Sequence, residues 1–117
     1  MQPNEAREIA LREYKNNEQT IRELRNEFTN TPGFASDEGE VSTFEQMRAV
    51  NTARINNLTA RQFDIKATLK RIAEDEFGWC EKCGAEIEAE RLETVFTAEN
   101  CSTCSDLQYH KDRHFAQ

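Results

Sequence analysis

The chain has 117 residues, of which 37% are apolar and 32% are charged, and its net charge is −7. A sequence of this size and polarity cannot bury a thick globular core, so it favours long helices supported by a substitute for a core, such as a metal ion. The negative charge weighs against binding of DNA or RNA through phosphates. No segment has the apolar length of a signal peptide or membrane span, which predicts a cytoplasmic protein with reduced thiols.

The first predicted element is a helix that runs from about Asn4 to Phe28. Its apolar residues recur at steps of three, four and seven positions, which is the pattern of a helix with a single apolar stripe. Asn17 interrupts this stripe with a polar side chain. The stripe consists of Ala10, Tyr14, Ile21, Leu24 and Phe28.

A break is predicted over residues 29–42, because this stretch contains a proline and two glycines. Ser42 and Glu45 then stand at the spacing of a capping box, which predicts that a second helix starts at about Thr43. We expect that helix to continue to about Glu76. Its stripe consists of Phe44, Met47, Ile55, Leu58, the polar Gln62, Ile65, Leu69 and Ile72.

Two long amphipathic helices joined by a short turn are expected to fold back on each other as an antiparallel coiled coil. This predicts a monomer in which residues 1–76 form a helical hairpin and residues 29–42 form its tip loop. A bundle made by self-association fits the same stripes, but the short connection favours the hairpin. In the expected register the facing pairs are Phe28 with Phe44, Leu24 with Met47, and Tyr14 with Leu58.

The remaining segment, residues 77–117, is predicted to be a small module built on two Cys-x-x-Cys hooks with seventeen residues between them. Two such hooks supply the four thiolates of a tetrahedral, structural zinc site. Gly84 follows the first hook and can adopt positive φ, which turns backbone N–H groups toward the sulfurs. A short final helix is expected from about Ser102 to Phe115, starting directly at the second hook. The predicted zinc ligands are Cys80, Cys83, Cys101 and Cys104.

Other uses of the cysteines are less compatible with the sequence. A thioredoxin-like redox pair lacks the surrounding βαβ pattern, and disulfides are disfavoured in a reducing compartment. An iron–sulfur cluster uses the same ligand type and stays open. Four thiolates leave no coordination position for a catalytic water, so we expect no enzymatic activity. His110 and His114 are interpreted as solvated residues of the final helix.

A helical hairpin that leads into Phe-Gly-Trp-Cys-Glu-Lys-Cys-Gly at residues 77–84, followed by Ile87, residues 91–93, residues 97–98 and the second hook, resembles the DksA/TraR family. The likeness covers essentially the whole chain and is most specific over residues 77–104. The resemblance implies a transcription regulator that binds RNA polymerase directly and inserts its coiled coil into the secondary channel. It also implies no sequence-specific DNA binding.

The resemblance further implies an active tip between the two long helices. The family pattern Asp-x-x-Asp-x-Ala falls on Asp37, Glu40 and Ser42. The first position matches the pattern, the second has a glutamate in place of the shorter aspartate, and the third has a serine in place of alanine. The alternative is a solvated acidic turn in which Ser42 only caps the second helix.

Full-length DksA uses basic residues to help form a site for the alarmone guanosine tetraphosphate, which relates the family to the stringent response. The corresponding positions here are Asp64, Val95 and Ser105, and none of them is basic. Because an anion with several phosphates requires positive partners, we expect regulation without this alarmone.

The family resemblance also suggests where the protein contacts the polymerase, and it leaves rival functions open. Three basic residues are candidates for docking on the outside of the polymerase: Arg91, Lys111 and Arg113. A nucleic-acid-binding zinc ribbon, a redox-sensitive zinc protein and a coiled-coil adaptor without polymerase contact are the alternatives.

Overall fold

The computed structural model describes residues 1–30 and 38–107, and it describes side chains for residues 1–27 and 43–107. Three helices are assigned: α1 (Pro3–Asn30), α2 (Glu38–Ala73) and α3 (Ala89–Thr94). Residues 102–107 form a further helical segment, α4. Within the described ranges the β-structure consists of an isolated antiparallel bridge between Trp79 and Glu86. The prediction of a mainly helical fold is therefore confirmed.

Helix α2 begins earlier than the sequence pattern predicted. It starts at Glu38, so the predicted start at Thr43 and the capping box at Ser42 are wrong. Acidic residue types are favoured at the start of a helix, so the sequence from Glu38 onward is compatible with this earlier start. Of the predicted tip loop, residues 29–30 belong to α1 and residues 38–42 belong to α2, while residues 31–37 lie outside the described part of the chain.

By its packing the chain divides into two units. One is Arg12–Phe63, which we call the coil unit; the other, the cysteine unit, consists of Met1–Leu11 and the described residues from Asp64 onward. The predicted sequence division between residues 76 and 77 stays a prediction. In the described part of the chain, no helix has the length and apolar character needed to cross a membrane.

In the coil unit, α1 and α2 run antiparallel along a seam that alternates apolar and polar residues. Ile21 and Leu24 are buried there. The amide of Asn17 donates a hydrogen bond of 3.0 Å to Oε1 of Gln62, and that of Asn51 donates one of 2.6 Å to Oε2 of Glu27. The interrupting polar residues of the two stripes thus pair with each other across the hairpin.

The register of this hairpin differs from the predicted one. Nε2 of Gln62 donates a 3.0 Å hydrogen bond to the carbonyl oxygen of Tyr14, which the prediction had placed opposite Leu58. Met47, the predicted partner of Leu24, is 58% exposed. Helix α2 is therefore displaced by at least one helical turn, because side-chain amides and not the largest apolar residues determine the pairing. The side chain of Phe28 lies outside the described set.

The cysteine unit contains a small, dense core. Met1, just before α1, and Ile72 of α2 pack against a cluster of residues that come mainly from the segment after α2. The cluster consists of Ala6, Phe77, Cys80, Ile87, Leu92, Ala98, Cys101 and Cys104. Three of the four cysteines are thus part of the hydrophobic core itself, which fits the expectation that a metal site replaces missing apolar volume.

Helix α2 ends in a Schellman motif. The N–H of Glu76 donates to the carbonyl oxygen of Arg71 at 2.8 Å, and that of Asp75 donates to Ile72 at 3.2 Å. Asp75 adopts the left-handed conformation that this motif requires, with φ of 58°. The motif reverses the chain just before the first cysteine hook.

Candidate metal centre

The first hook is held in a tight hairpin. The N–H of Cys80 donates to the carbonyl oxygen of Ala85 at 2.7 Å, and the N–H of Gly84 donates back to Cys80 at 3.0 Å. Gly84 has φ of 76°, a conformation that residues with a Cβ adopt only with strain. The prediction of positive φ just past the second sulfur is confirmed.

Backbone N–H groups of this hairpin point at the sulfurs. Those of Lys82 and Cys83 contact Sγ of Cys80, and that of Ala85 contacts Sγ of Cys83. Hydrogen bonds of this kind favour the thiolate, which is the form that binds metal. The turn therefore prepares both sulfurs of the first hook as ligands.

The second hook leads directly into helix α4, as predicted. The N–H of Ser105 donates to the carbonyl oxygen of Cys101 at 2.9 Å, which forms the first helical turn. Glu88 caps this turn from the start of α3, since its carboxylate accepts bonds from Oγ of Ser102 at 2.7 Å and from the N–H of Ser102 at 3.2 Å. The Ser102 contact lowers the pKa of Glu88. Beyond residue 107 the predicted final helix lies outside the described residues.

Two further bonds hold the approach to the second hook. Nε of Arg91 donates to the carbonyl oxygen of Asn100 at 2.9 Å. Asn100 also places its side-chain oxygen 3.9 Å from Sγ of Cys80. Arg91, proposed from sequence as a docking residue, is thus also part of the framework that fixes Cys101.

All four sulfurs converge on one point. The Sγ atoms of Cys80, Cys83, Cys101 and Cys104 lie within 4.8 Å of one another. Those of Cys83 and Cys101 are 3.7 Å apart. A tetrahedron with Zn–S bonds of about 2.3 Å has sulfur–sulfur edges of about 3.8 Å, so the observed edge fits a single tetrahedral ion.

The same distances argue against a disulfide and against a multi-iron cluster. A disulfide requires an S–S bond of about 2.05 Å, and all four cysteines are free thiols. A cluster of two or four irons would bind its cysteines through different metal atoms, which would hold the sulfurs farther apart. The alternative of a multi-iron cluster, open from sequence, does not fit this geometry.

The crowding of the thiols perturbs their acidity in opposite directions. Burial raises the pKa of Cys80, but the N–H groups of Cys101, Cys83 and Lys82 outweigh it and lower the pKa to about 6. The neighbouring thiols of Cys101, Cys80 and Cys83 raise the pKa of Cys104 to about 12. The site therefore stabilises one thiolate, whereas deprotonation of all four cysteines is unfavourable. This is expected of a site that requires a bound cation to compensate the negative charge of the other thiolates.

The other predicted site residues fall largely beyond the described structure. Asp37 is outside the described residues, as are Lys111 and Arg113. Glu40 and Ser42 belong to the backbone of α2, but their side chains are not among those described. Their functional roles stay predictions.

The sequence interpretation missed Arg71. This side chain is 5% exposed and donates hydrogen bonds to loop carbonyls of the cysteine unit. Its position three residues after Thr68 and six after Ile65, both buried, places it on the inner face of α2. That spacing was the available signal, since a charged residue on a buried stripe requires internal partners.

No family model matches the chain. Among curated proteins it is 31% identical over 97 residues to the RNA polymerase-binding transcription factor DksA of Haemophilus influenzae, which covers 83% of this chain and 64% of the relative. It is 40% identical over 52 residues to the protein of the same name in Escherichia coli, which covers 44% of this chain and 34% of the relative. The chain thus spans less than two thirds of the length of these curated relatives.

A solved structure resembles the fold over nearly its full length. The structure of transcription factor DksA2 from Pseudomonas aeruginosa matches 96% of this chain and 86% of its own, with a TM-score of 0.83 and 24% sequence identity. These comparisons support a DksA-like family member. The resemblance stated from the cysteine motif is confirmed, and so is the DksA-like fold of a helical hairpin with a four-cysteine module.

The positions compared with the alarmone site of DksA are described in this structure. Asp64 and Val95 are exposed and Ser105 is half-buried. Asp64 lies on α2, while Val95 ends α3 and Ser105 lies in α4.

Proposed function

We propose that the DksA-like chain binds one zinc ion through Cys80, Cys83, Cys101 and Cys104. The choice of zinc rests on the ligand set, since four thiolates in a tetrahedron form the common closed structural site of this metal. The geometry of the sulfurs supports a single ion. Zinc bound there supplies folding free energy and has no position left for a substrate or catalytic water.

We propose further that the protein regulates transcription by binding RNA polymerase, without catalysing a reaction of its own. The observation that carries this proposal is the 31% identity over 83% of the chain to a relative named for RNA polymerase binding. The net charge of −7 favours a basic protein surface as the partner over a nucleic acid. The protein is proposed to act as a monomer in the cytoplasm.

The proposed mode of action is insertion of the hairpin tip into the secondary channel of the polymerase. Asp37 and Glu40 would act there on charged groups near the polymerase active site, while Ser42 replaces an alanine of the family pattern. Carboxylates can compete for, or reorient, a cationic or metal-bound partner. Arg91, Lys111 and Arg113 are proposed to contact the outside of the polymerase.

Regulation is proposed to occur without guanosine tetraphosphate. Asp64, Val95 and Ser105 offer two neutral groups and one negative group where a phosphate-rich ligand requires positive charge. A transcription assay with and without the alarmone tests this proposal. Strong enhancement by the alarmone would contradict it.

The polymerase proposal is tested by transcription from a ribosomal RNA promoter with purified polymerase. Asp37→Asn and Glu40→Gln are expected to lose most of the regulatory effect while still binding polymerase. Glu93→Gln, on α3, removes one exposed charge from the cysteine unit and serves as the matched control. Bound zinc is measured in every sample.

The outcomes separate the rival functions. Equal activity of all variants would remove the role of the tip. Failure of the zinc-loaded protein to bind polymerase would favour the adaptor function. Tight binding to DNA at physiological salt would favour a nucleic-acid-binding zinc ribbon.

A further inference from the structure

We infer that Arg71 is the positioning residue of the metal centre, because its one guanidinium ties both cysteine hooks to helix α2. This inference rests on the proposed metal site but is independent of the proposed polymerase partner. Arg71 lies in the last turn of α2 and is almost fully buried.

The guanidinium donates its two hydrogen bonds to backbone carbonyl oxygens. NH2 donates to the carbonyl oxygen of Trp79 at 2.8 Å, and NH1 donates to that of Ala98 at 3.0 Å. Trp79 immediately precedes Cys80, and Ala98 lies three residues before Cys101. One planar group therefore holds the entrances to both hooks, which are far apart in sequence.

A second contact joins the same group to the first hook. Nε of Arg71 lies 3.7 Å from Oε1 of Glu81, the residue between Cys80 and Lys82. The same nitrogen has no hydrogen-bond partner among the described residues. The backbone N–H of Glu81 in turn donates to the carbonyl oxygen of Glu99 at 2.9 Å, which joins the two hooks directly. Arg71 thus contacts the first hook and the segment before the second, and the Glu81–Glu99 bond connects the same two segments.

The chemistry of the group matches this role. Only arginine presents several N–H donors in a rigid plane, so a lysine at this position cannot bridge two carbonyl oxygens with the same geometry. Four thiolates around a divalent ion also leave excess negative charge, and a buried cation next to the loops offsets part of it. Groups that orient metal ligands in this way typically contribute a factor of about 10–100 to metal affinity.

The test compares zinc affinity in the full chain, measured by competition with a chromogenic chelator. Arg71→Met retains most of the apolar stem and removes the donors and the charge, and Arg71→Lys retains the charge but not the planar fork. We expect both variants to bind zinc about 10–100-fold more weakly than the wild type. The control is Lys70→Met, which removes an exposed charge from the adjacent position; its affinity is expected to be unchanged.

A second readout separates positioning from general destabilisation. Cobalt(II) substituted for zinc gives absorption bands that report the symmetry of the four sulfurs. We expect these bands to shift in Arg71→Lys, whereas a substitution that only lowers helix stability would leave the bands of the folded complex unchanged. If Arg71→Met does not fold, Arg71→Lys carries the test.

Two results would overturn the inference. Wild-type zinc affinity and an unchanged cobalt spectrum in Arg71→Lys would mean that the bridge to both hooks is not needed. An equal loss of affinity in Lys70→Met would assign the effect to charge alone. A wild-type protein that binds no metal would instead refute the zinc proposal, and loss of polymerase binding affects neither readout.

Discussion

The coil unit and the cysteine unit both have small interiors, but different kinds of residue fill them. The coil unit buries amides beside its aliphatic residues, with Gln62 bonded to Asn17 and Asn51 bonded to Glu27. The cysteine unit buries aromatic and aliphatic residues around thiols, together with the buried cation Arg71. Polar pairs specify register at some expense of stability, whereas a metal site adds stability to a core that is too small.

This difference means that the two units should respond to different perturbations. Metal and pH should act on the cysteine unit. Substitutions in the polar layer should act on the coil unit and on the choice between an intramolecular hairpin and self-association.

The largest expected effect follows loss of one ligand. Cys80→Ser removes a buried sulfur that receives three backbone N–H bonds, so we expect the variant to bind less than one zinc ion per chain. Structural zinc contributes on the order of 10 kcal/mol of binding free energy to such modules, so the cysteine unit should unfold. Metal analysis and near-ultraviolet circular dichroism of Trp79 measure this. Retention of a full equivalent of zinc would contradict the four-thiolate site.

Acidification should release the metal next. Zinc binding requires four thiolates, and the raised pKa values of Cys83 and Cys104 mean that protons compete for these ligands across the neutral range. Affinity should therefore fall as pH falls. In the metal-free protein, the lowered pKa of Cys80 stabilises the folded state at pH values above the pKa of this thiol in the unfolded chain. This stabilisation is lost as the pH falls through about 6, the pKa of Cys80 in the folded state.

Zinc titrations between pH 8 and pH 5 test this dependence. The control is the thermal stability of the coil unit, followed through its helical signal, which should change little over the same range. A zinc affinity that is independent of pH would contradict the requirement for four thiolates.

Substitutions in the polar layer of the coil unit, formed by Asn17 and Gln62, should change the stability of the hairpin less than loss of zinc does. The sign of the change should depend on whether one or both residues are replaced. Gln62→Leu alone leaves Asn17 without its partner and should destabilise the hairpin by about 1–3 kcal/mol. Replacing both Asn17 and Gln62 by leucine should restore or exceed the original stability, while permitting other registers and self-association.

Chemical denaturation and sedimentation measure these two consequences of the polar layer. Gln19→Leu is the surface control, since Gln19 is exposed and its amide bonds to the exposed Glu23. A double variant that stays monomeric and is no more stable than Gln62→Leu would show that the layer does not determine the register.

The smallest effect is expected at the end of α2. Asp75 occupies the left-handed position of the Schellman motif, where glycine has no steric penalty. Asp75→Gly should therefore stabilise the protein by up to about 1 kcal/mol. Thermal unfolding with zinc bound measures it, with Glu74→Gly as the control that should destabilise. Destabilisation by Asp75→Gly would mean that the aspartate side chain makes a contact of its own.

The cysteine spacing allowed the best prediction from sequence, because two hooks and a glycine specify a local geometry that needs little tertiary information. Helix existence was equally accessible from the apolar stripes. The register was not, since it depends on how Gln62 and Asn17 satisfy each other, and apolar pairing alone favoured a different alignment. The start of α2 was misjudged because Ser42 matched a capping pattern that the helix does not use.

Arg71 illustrates the remaining gap. Its acceptors are carbonyl oxygens, and a carbonyl is present at every residue, so the sequence carries no sign of which ones it will bind. Its place on a buried stripe indicates that it has internal partners, but only the folded loops identify them.

The central claim is that one zinc ion holds the cysteine unit together while the coil unit is held by its own seam. Amide hydrogen exchange of the full chain, with zinc and after chelation, tests this claim most directly. We expect chelation to remove protection from residues 77–107 and to leave residues 12–27 and 51–63 protected. Equal loss of protection in both regions, or no loss in residues 77–107, would contradict it.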